Sequence, residues 1–143
     1  MGVVRYIFVI AIATIMPSIA CADGVLAELQ QQTPPRFTQT GRATFYHKSL
    51  RGMRTAAGER YDPDAMTAAH RRLQLGTYVR VTRLGSNRNV IVKVNDRMPP
   101  RSRAIIDLST AAARKLGMLR LGVAKVRIEA LSTAEVEKFL GSQ

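Results

Sequence analysis

A mainly β domain with one internal helix, built as a small barrel or a sandwich, is what this sequence predicts, and three observations carry the prediction. Two neighbouring segments alternate apolar and polar residues with a turn signal between them. A third alternating segment lies near the C-terminus. A short alanine-rich run is bounded by a serine suited to cap a helix and a glycine suited to close one. Period-two patterning puts every second side chain on one face of a strand, so each alternating segment has a side to bury. The pattern alone does not choose between barrel and sandwich.

The chain has 143 residues, enough for one ordinary domain. Its start, MGVVRYIFVIAIATIMPSIACA, carries one cation, Arg5, then an apolar run from Tyr6 to Met16 and a set of small residues. That layout is that of a secretory signal over residues 1–22, and the run is too short and poorly flanked for a lasting membrane span. Ala20-Cys21-Ala22 supplies a cleavage pattern that leaves a mature chain from Asp23. Cys21, the only cysteine, is either an acceptor for a lipid at the new N-terminus or a small residue of the signal. In both readings the exported domain has no disulfide and stands on packing. Residues 23–40, with Gln30-Gln31-Gln32 and Thr33-Pro34-Pro35, read as a flexible linker.

The domain is expected over residues 41–131. RATFY near Arg42 and MTAAH near Met66 are short strand candidates. Thr77 to Thr82 sets Val79 and Val81 on one face; Val90 to Val94 aligns Val90, Val92 and Val94; Gly85-Ser86-Asn87 between them makes the pair a hairpin. Ala124, Val126, Ile128 and Ala130 repeat the period. The helix spans Thr110 to Leu116, with Ser109 as cap, Gly117 as stop, and Arg114 and Lys115 in the last turn, where cations suit the helix dipole. A second, peripheral helix is expected over Thr133 to Leu140 in the tail, residues 132–143.

The formal net charge is +12, and removal of Arg5 with the signal leaves +11. Such a surface seeks polyanions. The basic residues are scattered, no RNA-type aromatic motif interleaves them, and an exported chain meets anionic wall and membrane rather than nucleic acid. Metal chemistry is poorly supplied: His47 and His70 are the only histidines, and no ligand spacing occurs. No Gly-x-Ser-x-Gly elbow marks a serine nucleophile. Carboxylate chemistry remains. Asp96 ends an alternating strand just before Pro99 and Pro100, with Asn95 and Arg97 beside it. It is either a reactive acid or half of an Asn-Asp turn. Glu59 follows the Gly58 turn and reads as a reactive acid or an ordinary loop acid. His70 ends a short apolar strand, where a buried, hydrogen-bonded ring is usual. Asp107, two residues before the helix cap, reads as a local ordering residue.

Taken in order, GRATFYH, RTAAGERYD, MTAAHRRLQLGTYVRVTRL, VIVKVNDR followed by proline, RAIIDLSTAAARKLGM and GVAKVRIEAL resemble the RlpA (rare lipoprotein A) family across Gly41 to Leu131. The resemblance implies a six-stranded double-psi β-barrel with one or two short helices. It also implies export to the periplasm of a Gram-negative bacterium, with outer-membrane anchoring if Cys21 carries lipid. The implied activity is peptidoglycan lytic transglycosylation, which leaves a 1,6-anhydro sugar end without using water. By resemblance Asp96 is the acid and base, Glu59 the second carboxyl and His70 a supporting partner. Arg97, Asn95, Tyr46 and Thr55 form the substrate-binding set. Glu59 and Asp96 are then expected to line one groove within ~10 Å of each other. No metal or cofactor is implied, the partner is the glycan strand, and the expected state is a monomer. The alternative is a non-catalytic wall-binding module, as related barrels in expansins bind polysaccharide without cutting it. The pattern departs from the family at Met98, where a glycine is usual, at Tyr46-His47 and at Leu50-Arg51-Gly52. A C-terminal SPOR domain, common in relatives, is not expected in a chain that stops at Gln143.

Overall fold

Alternation resolves into six strands: β1 (Thr38–Phe45), β2 (Thr67–His70), β3 (Tyr78–Arg83), β4 (Asn89–Asp96), β5 (Ile106–Leu108) and β6 (Ala124–Ala130). The computed structural model describes residues 36–143, so the expected signal, Cys21 and most of the expected linker lie outside the described residues. The strands close in the order β1-β5-β2-β4-β3-β6, which decides for the barrel over the sandwich. β1–β5 and β2–β4 pair in parallel; the remaining neighbours are antiparallel. This is the double-psi barrel.

The inward residues are those the period selected. Val79, Val81, Val92, Val94, Val126 and Ile128 are almost wholly buried, and each such side chain contributes roughly 1.5–3 kcal/mol by leaving water. Helix α1 (Thr110–Lys115) packs Ala112 and Ala113 onto this core, followed by Leu116 and Met118. Ser109 caps α1 through a bond from the Ala112 N–H, and Gly117, at φ +67°, turns the chain out of it. Helix α2 (Thr133–Leu140) buries no residue and is held by a capping box between Ser132 and Glu135.

Three boundaries differ from the sequence expectation. β1 begins at Thr38, inside the residues assigned to the linker, because Thr38 to Ala43 pair with Glu129 to Ala124 on β6. β4 runs on to Asp96, since Asp96 pairs with Ala69 of β2. The segment IDL, read as a lead-in to the helix, is a strand, with Ile106 and Leu108 inward and Asp107 between them.

Candidate active site

The end of β4 carries a one-residue bulge. Ala68 faces Val94 on β4, but the next residue, Ala69, faces Asp96, so Asn95 is the extra residue. A bulge re-aims the side chains around it. Here it brings Asp96 level with Ala69, whose other neighbour is Asp107 on β5. The two aspartates therefore flank one alanine in adjacent strand positions. Strands lie about 4.8 Å apart, which puts their α-carbons roughly 10 Å from each other.

Asp96 is half-buried and receives three donors. The Ala56 and Arg97 backbone N–H groups bond Oδ1 at 2.9 and 2.8 Å, and the Tyr46 hydroxyl bonds Oδ2 at 2.8 Å. Tyr46 is fixed in turn: its N–H bonds the Leu108 carbonyl, its carbonyl accepts from the Thr110 hydroxyl, and its ring meets Tyr61 edge-on at 5.0 Å. Burial, and then the hydrogen bond to Asp96, push the Tyr46 phenol far up, so it remains a donor. A cleft of about 130 Å³ opens onto this carboxylate between Tyr46, Leu50, Met53, Arg54, Thr55 and Tyr61. Thr55 and Tyr61 have buried hydroxyls with no protein partner. Tyr61 supports the site by its edge-on contact with Tyr46.

Asp107 accepts a bond from the Thr44 hydroxyl at 2.9 Å. Burial pushes its carboxyl above the ordinary aspartate range and the charge of Asp96 adds to this, while the Thr44 bond opposes. Sequence reasoning read this acid as ordering the helix start and not as a strand residue. The available signal was its place between two inward apolar residues.

Glu59 lies on the loop that also bonds Asp96 through the Ala56 N–H, but outside the lining of this cleft. The turn Thr55–Glu59 is closed by two bonds, Thr55 N–H to the Glu59 carbonyl and Gly58 N–H to the Thr55 carbonyl, with Gly58 at φ +85°. It presents Glu59 to Asn95 Nδ2 at 2.9 Å and to Lys93 Nζ at 2.7 Å. Lys93 and Asn95 are alternate residues of β4, so Glu59 sits over the strand's outer side and is not among the cleft walls. The bond from Asn95, then that from Lys93, hold its carboxyl below the ordinary glutamate range. Sequence reading did not find Lys93 as its partner.

His70 is almost completely buried. Its Nδ1 accepts the Arg72 and Leu73 N–H groups at 3.1 and 3.0 Å, which leaves the proton on Nε2, 3.3 Å from the Gln39 side-chain oxygen. Burial, and then Arg71, Arg97 and Arg72, push its pKa down, in keeping with a neutral ring. It makes no hydrogen bond to Asp96; it fastens the turn after β2. Arg97 completes that turn by donating Nη1 to the carbonyls of His70 and Leu73 at 3.1 and 2.6 Å. Met98 is buried against Ala69 and Ala104 beside Tyr46, and no non-glycine residue among those described has positive φ. The side chain in place of a glycine therefore causes no backbone strain. It also borders, with Arg71, Arg72 and Pro100, a second open cleft of about 340 Å³.

A family model described as lytic transglycolase matches residues 38–128. Among curated relatives, the endolytic peptidoglycan transglycosylase RlpA of Neisseria meningitidis serogroup A is 52% identical over 93 residues, 65% of this chain and 39% of that protein. The protein of the same name from Vibrio cholerae is 43% identical over 107 residues, 75% of this chain and 41% of that one. The chain thus spans about two-fifths of the length of these relatives. Among solved structures, Streptomyces papain inhibitor superposes with a TM-score of 0.55 at 27% identity, over 67% of this chain and 96% of that one. Apo Clavibacter michiganensis expansin gives 0.54 at 26%, over 68% and 52%. A match running from the first barrel strand into the last, across the bulge and both aspartates, means that the chain belongs to the RlpA-type lytic transglycolase family.

Proposed function

We propose that the barrel is an exported peptidoglycan lytic transglycosylase in which Asp96 moves the proton. The observation that carries this is the Asp96 carboxyl, aimed by three donors into the wall of an open cleft. The name borne by its relatives supports the substrate. In the first step the protonated carboxyl gives its proton to the oxygen linking N-acetylmuramic acid to N-acetylglucosamine, and the bond from that oxygen to the muramyl anomeric carbon breaks. The muramyl 6-hydroxyl then attacks that carbon and its proton returns to the carboxylate, so no water is consumed. Asp107, held toward its neutral form next to Asp96, shares the charge of the pair. Thr55 and Tyr46 face the sugar, Asn95 and Glu59 brace the outer side of the strand end, and His70 and Arg97 position it. The N-terminal segment over residues 1–22 directs export to the periplasm.

Digestion of purified sacculi, with products weighed by mass spectrometry, tests the reading. Wild-type protein should release anhydromuropeptides, and Asp96→Asn should lose about 10²–10⁴-fold of that activity while still sedimenting with sacculi. Products heavier by one water would mean a hydrolase. The likeness to expansin favours one other reading, a barrel that binds wall glycan without cutting it; wild-type protein that sediments with sacculi and releases nothing would establish it.

A further inference from the structure

β4 has a second charged end. Where Asp96 closes it on one side, Arg88 precedes its first residue on the other, on the order of 20 Å away at ~3.3 Å per residue. There an open cleft of about 560 Å³ is lined by Arg83, Arg88, Arg114 and Arg120 with Leu119 and Leu121. Arg83 is partly committed, donating to the Gly117 carbonyl and the Ser86 hydroxyl. Among the described residues, the guanidinium groups of Arg88, Arg114 and Arg120 take no protein hydrogen bond or ion pair. Among the described residues, no acid lines the cleft, and five are paired elsewhere: Glu59 with Lys93, Asp62 and Asp64 with Arg51, Glu129 with Arg127, and Glu135 with Arg36 and Arg80. Gly117 makes room for the cluster, since a side chain there would collide with the Arg88 guanidinium. The cleft has a concentrated positive charge with no internal counterion.

The leucines decide what kind of anion fits. Leu119 and Leu121 are 38% and 59% exposed on the loop between α1 and β6, and Val123 and Leu84 are 40% and 39% exposed. A phosphate ion or a sugar acid would leave that apolar surface in water. An anionic lipid surface uses both, with guanidinium groups at the headgroups and protruding aliphatic side chains below them. We propose that this end of the barrel docks on an anionic phospholipid membrane, leaving the Asp96 end of β4 turned away from the lipid.

The test is hydrogen–deuterium exchange on the full chain with vesicles of pure phosphatidylcholine or of phosphatidylcholine containing 30% phosphatidylglycerol. A local readout is needed because the apolar N-terminal residues would hold the chain on either vesicle. Residues 83–88 and 114–123 should exchange at least threefold more slowly on the anionic vesicles alone. Arg88→Gln with Arg120→Gln should weaken that protection roughly fivefold per arginine. Leu119→Ser with Leu121→Ser should also reduce it, and Arg101→Gln with Arg103→Gln should not. Raising salt to about 0.5 M should abolish it without any substitution, which guards against an arginine variant that fails to fold. Equal protection on neutral vesicles, indifference to the leucine pair, or the same protection from inorganic phosphate or a soluble acidic peptide would overturn the proposal.

Discussion

Asp96 and Glu59 sit at the same end of β4 in different surroundings. Asp96 accepts from two backbone N–H groups and a tyrosine and borders a cleft; Glu59 lies exposed across Lys93 and Asn95 with its charge matched. A carboxylate neutralised by an ammonium neither donates a proton at neutral pH nor raises the proton affinity of a neighbour. The carboxyl electrostatically coupled to Asp96 is Asp107, one strand beyond Ala69, where burial favours the neutral form.

Substitutions can break this contrast. The largest effect among them belongs to Tyr46→Phe, which removes a hydrogen bond to a charged group worth about 1.5–3 kcal/mol and should lower turnover on sacculi roughly ten- to a hundredfold with the fold intact by circular dichroism. Unchanged turnover would mean that Asp96 does not depend on this donor. Asp107→Asn should cost about tenfold in rate, and it carries a stability signature. The folded carboxyl titrates above its unfolded value of ~3.9, so its contribution is full below that pH and is lost as pH rises through the raised folded value. Asparagine cannot ionise, so the melting temperature of the variant should exceed that of wild type increasingly toward neutral pH. A variant whose melting curve tracks wild type at every pH would count against a strained carboxyl. Glu59→Gln should have the smallest effect, less than about threefold in rate, because it deletes only one exposed ion pair worth ~0–1 kcal/mol. A hundredfold loss in the sacculus assay would put Glu59 back in the proton path.

How far the sequence announced this arrangement depends on how local each signal is. Val79 and Val81, Val90 to Val94, and Val126 and Ile128 mark β3, β4 and β6 by period alone, and Ser109 marks its helix. Asp96 stood out because an alternating strand runs into two prolines. β5 is three residues long and has too few positions to show a period, so Asp107 passed as part of the helix start. The bulge at Asn95 exists only in the pairing of β4 with β2, and the Lys93–Glu59 bond joins residues 34 apart. Neither is written in any short window. The backbone partners of His70 depend on a turn whose shape no propensity encodes.

One further feature concerns how such a barrel travels between proteins. The two ends of the folded unit leave it side by side: Thr38 pairs with Glu129, the Ala130 N–H bonds the Phe37 carbonyl, and Arg36 reaches Glu135 on α2 at 2.9 Å. A unit with neighbouring ends can be spliced into a loop of a host chain, or have its ends joined and be reopened elsewhere, without unthreading its sheet. The geometry suits a portable cassette, one that evolution or a designer can combine with other modules while the cleft stays as it is.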